Sequence, residues 1–200
     1  MAAKRRATVE RKTKETQVQV TLDLDGQGSA DISTGIGMLD HLVEQIARHG
    51  LIDITLHAKG DLETDEHHTI EDVGLALGRA FDEALGERKG IVRMADATVP
   101  LDEALASVAI DLSGRGYAVL DAPWTGERIG ELPVDLINHL LWSFAMEGKL
   151  TLHGRVLSGV NDHHKAEAIF KALGRALSAA SRLEPRLKGG SPSTKGTLKT

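Results

Sequence analysis

Adjacent histidines followed by a glutamate occur twice in this chain, in Asp65-Glu66-His67-His68-Thr69-Ile70-Glu71 and in Asn161-Asp162-His163-His164-Lys165-Ala166-Glu167. Imidazole and carboxylate are donors for a divalent transition metal, so both segments are candidate metal sites. Aligned without gaps, residues 65–80 and 161–176 are identical at 8 of 16 positions, where composition alone would give about one. The chain therefore contains an internal duplication. On a helix, residues i and i+4 lie about 40° apart and neighbours about 100° apart. His67 shares a face with Glu71, and His163 with Glu167, while His68 and His164 point elsewhere, so each helix feeds two centres rather than chelating one. Asp72 could have served with His68, but its counterpart is Ala168, and the repeat argues against it.

The duplication extends to the elements that must position these side chains. Val20-Thr21-Leu22-Asp23-Leu24-Asp25-Gly26 resembles Val108-Ala109-Ile110-Asp111-Leu112-Ser113-Gly114, and Asp40-His41-Leu42 matches Asn138-His139-Leu140 once two residues of gap are allowed. A lone histidine on an apolar helix face would ordinarily be a satisfied core residue, but their matched positions in the repeat make His41 and His139 candidate ligands. Alternation of Val18, Val20, Leu22 and Leu24, and of Ala106, Val108, Ile110 and Leu112, predicts two half-buried strands. Helical spacing predicts helices through Met38–Ala47 and Leu136–Ala145, ended by Gly50 and Gly148. Strands over 51–58 and 150–157 should follow, then long helices over 65–87 and 162–183, with short strands near 5–12, 29–33, 92–99 and 116–121. Asp65 and Asn161 stand where N-caps belong, placing each histidine pair in a first turn whose positive dipole end favours neutral, metal-donating imidazole.

Strand, strand, helix, strand, helix in each half predicts an α+β fold, a tandem duplication of a half-domain with a mixed sheet and two helices, the helices layered on the sheets. Each half is too small to be comfortable alone, and no linker separates them. The reading is one domain over 1–187 built of repeats at about 8–92 and 93–184, with a flexible tail over 188–200 rich in glycine and serine.

With a hydrophobic content of 41%, 200 residues suffice for a substantial core. A formal charge of -5, a pI near 6.0 and 3% aromatic residues disfavour nucleic acid as a partner. No apolar run reaches membrane-spanning length and no apolar leader follows Met1, which predicts a cytoplasmic protein without a membrane partner. The absence of cysteine leaves histidine and carboxylate as the metal donors. His57 and His153 alternate with buried leucines and are expected to face solvent. His49, matched by Glu147, reads as a helix-end residue. Glu15 lies in the charged stretch Arg11-Lys12-Thr13-Lys14-Glu15 and gains no role from sequence physics. Arg93 and Arg115 read as surface charges, and Gly114-Arg115-Gly116 is too short a pattern to identify a phosphate site.

Taken together, Thr13-Lys14-Glu15-Thr16, Gly37-Met38-Leu39-Asp40-His41, Asp65 through Asp72, Asp111-Leu112-Ser113-Gly114-Arg115, Asn161 through Glu167 and Ser193-Thr194-Lys195-Gly196 resemble the imidazoleglycerol-phosphate dehydratase family over nearly the whole chain. Ile70 departs from the pattern, where many relatives carry asparagine, and faces away from the ligand pair. The resemblance implies a carbon–oxygen lyase of histidine biosynthesis that converts imidazole glycerol phosphate to imidazole acetol phosphate. It implies two manganese ions per active site, between subunits of a homo-oligomer of 24 chains. One ion would take His41, His68, His163 and Glu167; the other would take His67, Glu71, His139 and His164. Exchanging the halves exchanges these sets. The same resemblance makes Glu15 the acid/base that handles protons beside the ring and a substrate contact. It gives Arg93, Arg115, Ser193 and Lys195 to the substrate phosphate and adds Lys171 to the substrate-binding residues. The proton to be removed is not activated by a carbonyl, so metals on the ring nitrogens would supply the electron sink through an imidazolate and a diazafulvene-like intermediate. A dinuclear metallohydrolase acting on a phosphorylated small molecule, or a metal-storing shell, would use the same donors.

Overall fold

In the computed structural model, which describes residues 5–196 and 198, each half folds the same way. The first contains Arg6–Lys12 (β1), Gln17–Asp23 (β2), Ala30–Ser33 (β3), Gly37–Gly50 (α1), Asp53–Lys59 (β4) and His67–Leu85 (α2). The second contains Met94–Leu101 (β5), Ala104–Asp111 (β6), Tyr117–Asp121 (β7), the short strands Arg128–Ile129 (β8) and Leu132–Pro133 (β9), Val134–Glu147 (α3), Thr151–Ser158 (β10) and Asp162–Ser181 (α4). The sheets run in the orders β1-β2-β4-β3 and β5-β6-β10-β7, so the two topologies superpose element by element. In each, the first two pairs in that order are antiparallel and the β3–β4 or β7–β10 pair is parallel. These are the mixed sheets expected from the strand and helix order.

The period-two pattern decides which sheet face is covered. Val18, Val20, Leu22, Ile54 and Leu56 of the first sheet, and Ala106, Val108, Ile110 and Leu152 of the second, are buried beneath helices. Helix α2 lies on β1 and β2, α4 on β5 and β6, and the helices then pack crosswise, α1 on α4 and α2 on α3. Four helices thus form the middle of a sandwich with a sheet on either side, and burial of Leu39, Leu42, Ile70, Phe81, Ile137, Ile169 and Phe170 between them stabilises it by about 1.5–3 kcal/mol per large side chain. Glycines set how closely the crossed helices approach. A Cβ on Gly78 would lie 2.4 Å from the Phe144 carbonyl oxygen, and one on its repeat counterpart Gly174 would lie 2.7 Å from that of Ile46. Close crossing brings a helix of one half against a helix of the other.

Two local features differ from expectation. Asn161 is the N-cap of α4, its side chain accepting the His163 and His164 N–H groups at 2.9 and 3.4 Å. Helix α2 instead starts one residue later, after Glu66, and Asp65 from one residue further back accepts the His67 N–H at 2.8 Å. The β8–β9 hairpin, with strands too short to leave a periodic signal, reaches the first half. Glu131 accepts the Met38 N–H at 2.7 Å at the start of α1, and Arg128 bonds Glu66 and the Glu131 carbonyl.

Candidate metal centre

The helix crossings assemble two clusters of the same composition. His41 from α1 meets His163 and Glu167 from α4, and His139 from α3 meets His67 and Glu71 from α2; within each trio one donor atom per residue lies within 4.8 Å of the others. In the first, Glu167 Oε2 is 3.4 Å from His41 Nε2 and 3.2 Å from His163 Nε2. In the second, Glu71 Oε1 is 3.6 Å from His139 Nε2, and the His67 and His139 rings are 4.8 Å apart. The i, i+4 spacing of His and Glu supplies two donors from one helix and the crossing helix supplies the third.

The donor atoms fit a cation. His41 Nε2 and His139 Nε2 are both buried without a hydrogen-bond partner. An orphaned buried nitrogen is costly unless something electropositive completes it, and two imidazoles with a carboxylate make a suitable first set of ligands for a divalent metal. Burial works to raise the Glu167 carboxyl, but the hydrogen bond from Lys171 at 2.8 Å and the adjacent His41 outweigh it and hold it below the ordinary carboxylate range. Glu167 is therefore anionic at neutral pH.

His68 and His164 belong to neither trio among the described residues. Each is prepared in another way. Asp61 holds His68 Nδ1 at 3.1 Å and Glu103 holds His164 Nδ1 at 2.8 Å, leaving both Nε2 atoms as the donors that point away. The hydrogen bond that each ring donates to its carboxylate raises the ring's affinity for a proton. Glu103 itself is lowered to about 2, first by the Asn161 N–H and then by His164. A second carboxylate stands near each Nε2: Glu15 at 4.0 Å from His68 and Asp102 at 3.9 Å from His164. Sequence reading missed Asp61, Glu103 and Asp102. Glu103 lies 61 residues from its histidine, and only the pairing of β5 with β6 brings its turn to α4.

The remaining candidates are placed as follows. Arg93, at a positive φ of 79°, clasps Asp111 with two nitrogens at 2.8 and 3.1 Å and donates to the Pro192 carbonyl at 2.9 Å, beside Ser193. Lys195 N–H bonds the Ser193 hydroxyl at 3.2 Å. Arg115 is exposed in the turn after β6. Lys171 abuts Glu167; burial first, and then the charges of Lys171 and Arg175, depress His49, so a cationic cluster borders the first trio. His57 and His153 are exposed on strand faces turned away from the helices.

Two reciprocal His/Glu clusters on crossed helices, sandwiched between duplicated mixed sheets, define an α+β protein with two candidate metal-binding groups. The family model described as imidazoleglycerol-phosphate dehydratase matches residues 34–177. Curated proteins of that name are similar over almost the entire chain. The one from Roseiflexus sp. (strain RS-1) is 58% identical over 197 residues, 98% of this chain and 99% of its own. The one from Chloroflexus aggregans is 59% identical over 198 residues, 99% and 97%. Among solved structures, the Staphylococcus aureus enzyme superposes with a TM-score of 0.79 at 32% identity, covering 90% of this chain and 98% of its own. That from Pyrococcus furiosus gives 0.81 at 34%, covering 94% and 99%. The chain belongs to the imidazoleglycerol-phosphate dehydratase family.

Proposed function

We propose that the chain, a carbon–oxygen lyase by its family, dehydrates imidazole glycerol phosphate to imidazole acetol phosphate in histidine biosynthesis. The observation that carries this reading is the pair of matched trios with orphaned Nε2 atoms, in a fold shared over nine-tenths of the chain with a solved dehydratase of that name. His41, His163 and Glu167 would hold one manganese ion, and His67, Glu71 and His139 a second. Bound there, the ions would anchor the imidazole ring and favour its anionic form. His68 and His164 become fourth ligands for these ions in neighbouring subunits, since the Nε2 of each is left outside both trios by its own chain. A 24-chain assembly in the cytoplasm completes this proposal.

Glu15 travels with His68, so it enters the same composite site beside the ring. Overall, hydroxide leaves from the ring-bound carbon, a proton leaves from the next carbon, and the resulting enol gains a proton at the ring-bound carbon as it becomes the ketone. Glu15, a carboxylate with more than half of its side chain exposed, is suited to carry those protons. Arg93, Arg115, Ser193 and Lys195 form the phosphate pole, cations and a hydroxyl matched to a dianion, and Lys171, beside Glu167, is a further substrate-binding residue. Arg93 already touches the tail that carries Ser193 and Lys195.

Product analysis after manganese-reconstituted enzyme meets imidazole glycerol phosphate tests this. A ketone with its phosphate retained is expected. Free inorganic phosphate would instead establish a dinuclear metallohydrolase, which the same ligands could equally serve. If ions bridge chains, chelation also reduces the assembled mass seen by light scattering.

A further inference from the structure

The Glu15 turn is built unlike its counterpart in the other half. Strands β5 and β6 are joined by Asp102 and Glu103 alone, with Leu101 paired to Ala104 and Asp102 at a positive φ of 47°. A turn that short has little freedom. Strands β1 and β2 are joined by four residues, Thr13 to Thr16, between the pair Lys12 and Gln17. Thr13 N–H bonds the Thr16 carbonyl at 2.9 Å, and the Thr13 hydroxyl accepts the Glu15 and Thr16 N–H groups at 3.1 and 3.0 Å. Glu15 sits near the tip.

Asp72 closes the base of this turn. It is 5% exposed, and its two oxygens divide between the two sides of the turn: Oδ1 accepts from Nε of Arg11 on β1 at 2.6 Å, and Oδ2 accepts from the hydroxyl of Thr16, the last turn residue. Asp72 follows Glu71 on α2, the helix that also carries His67 and His68. One carboxylate therefore fixes the Glu15 turn to the ligand-bearing helix. The corresponding residue of α4 is Ala168, in the half whose two-residue turn has no such base to close. Resting on the assignment of Glu15 as the acid/base, we propose that Asp72 is a positioning residue that acts through Thr16 and Arg11 to hold Glu15 against the His68 end of the site. Glu15 stands 4.0 Å from His68 Nε2 in this arrangement, and a displacement of about 1 Å in a catalytic group commonly costs on the order of a hundredfold in rate.

The test compares manganese-reconstituted Asp72→Ala, Asp72→Asn, Thr16→Val, Thr16→Ser and Glu15→Gln for kcat, KM, metal content and assembled mass. Asp72→Ala and Thr16→Val should lower kcat by about tenfold to a hundredfold, with KM within about twofold because the phosphate and ring contacts survive. Metal content should be unchanged. Thr16→Ser keeps the hydroxyl and should restore most of the rate. So should Asp72→Asn, whose carbonyl accepts from Arg11 while its amide donates to Thr16. Wild-type kcat in Asp72→Ala, a loss that tracks missing metal, or equal rates for Thr16→Val and Thr16→Ser would overturn the proposal; if Asp72→Ala does not fold, the Thr16 pair decides alone. Full turnover in Glu15→Gln would remove the acid/base assignment beneath it, whereas an inactive Glu15→Gln beside a normal Asp72→Ala would remove the positioning role only.

Discussion

The two halves share a topology, yet they preserve some residues in register and let others diverge, and the division follows use. The trios are preserved, with His67, Glu71 and His139 in one and His163, Glu167 and His41 in the other. So are the glycines that let the helices cross, Gly78 with Gly148 and Gly174 with Gly50. What diverges is what a site needs once. Glu15 and its anchor Asp72 lie in the first half only, and the β8–β9 hairpin in the second only, where Glu131 caps the helix that presents His41. The outer sheet faces diverge too. That of β1, β2 and β4 is polar, with Thr8, Gln19, Thr21 and Thr55, whereas that of β5, β7 and β10 exposes Met94, Tyr117, Val119 and Leu157.

This comparison breaks most sharply at the metal ligands. His67→Ala and His163→Ala should each remove roughly half of the bound manganese, because they sit in different trios, and the double variant should retain almost none. Elemental analysis that found the double variant retaining as much manganese as either single variant would merge the centres. Next in size are the crossings. Alanine at a helical glycine ordinarily favours the helix slightly, but here the new methyl meets a backbone carbonyl, so Gly78→Ala and Gly174→Ala should destabilise by about 1–3 kcal/mol. Gly78→Ala should be the worse, since its clash distance is 2.4 Å against 2.7 Å. Thermal denaturation checks the order.

The smallest effect sharpens a difference between turns. Asp53 accepts the Ser29 and Gln27 N–H groups, both at 2.8 Å, and these bonds hold its carboxyl below the ordinary 3.8. Its counterpart Thr151 has no carboxylate to offer the second half. A depressed folded pKa means a contribution fully present above 3.8 and lost as pH falls through the folded value. Asp53→Asn should therefore lower stability by about 1 kcal/mol at pH 7, with the gap to the parent closing in strong acid. A gap that widened on acidification would reverse the sign of this linkage.

Much of this was legible in the sequence, for stated reasons. Long strands and helices imprint periods of 2 and 3.6 residues, so Val18 to Leu24 and Met38 to Ala47 announced their elements. The His/Glu pairs were legible because a helix makes i and i+4 neighbours and the duplication repeats them. Sequence alone did not reveal which carboxylates orient His68 and His164, since Glu103 reaches its histidine only through the sheet. Nor did it reveal the β8–β9 hairpin, whose two-residue strands have no period. Asp72 was seen not to be a ligand, but its bonds to Arg11 and Thr16 span 61 and 56 residues and appear only in three dimensions. Glu15 has no local signature at all, and its place beside His68 depends on that long-range clasp.

Anomalous diffraction from manganese-soaked crystals tests the reciprocal centres most directly. Two peaks per chain are expected, one among His41, His163 and Glu167 and one among His67, Glu71 and His139, each completed by His68 or His164 from a neighbouring copy. A single peak, or peaks that leave either trio without an ion at saturating manganese, would contradict the assignment.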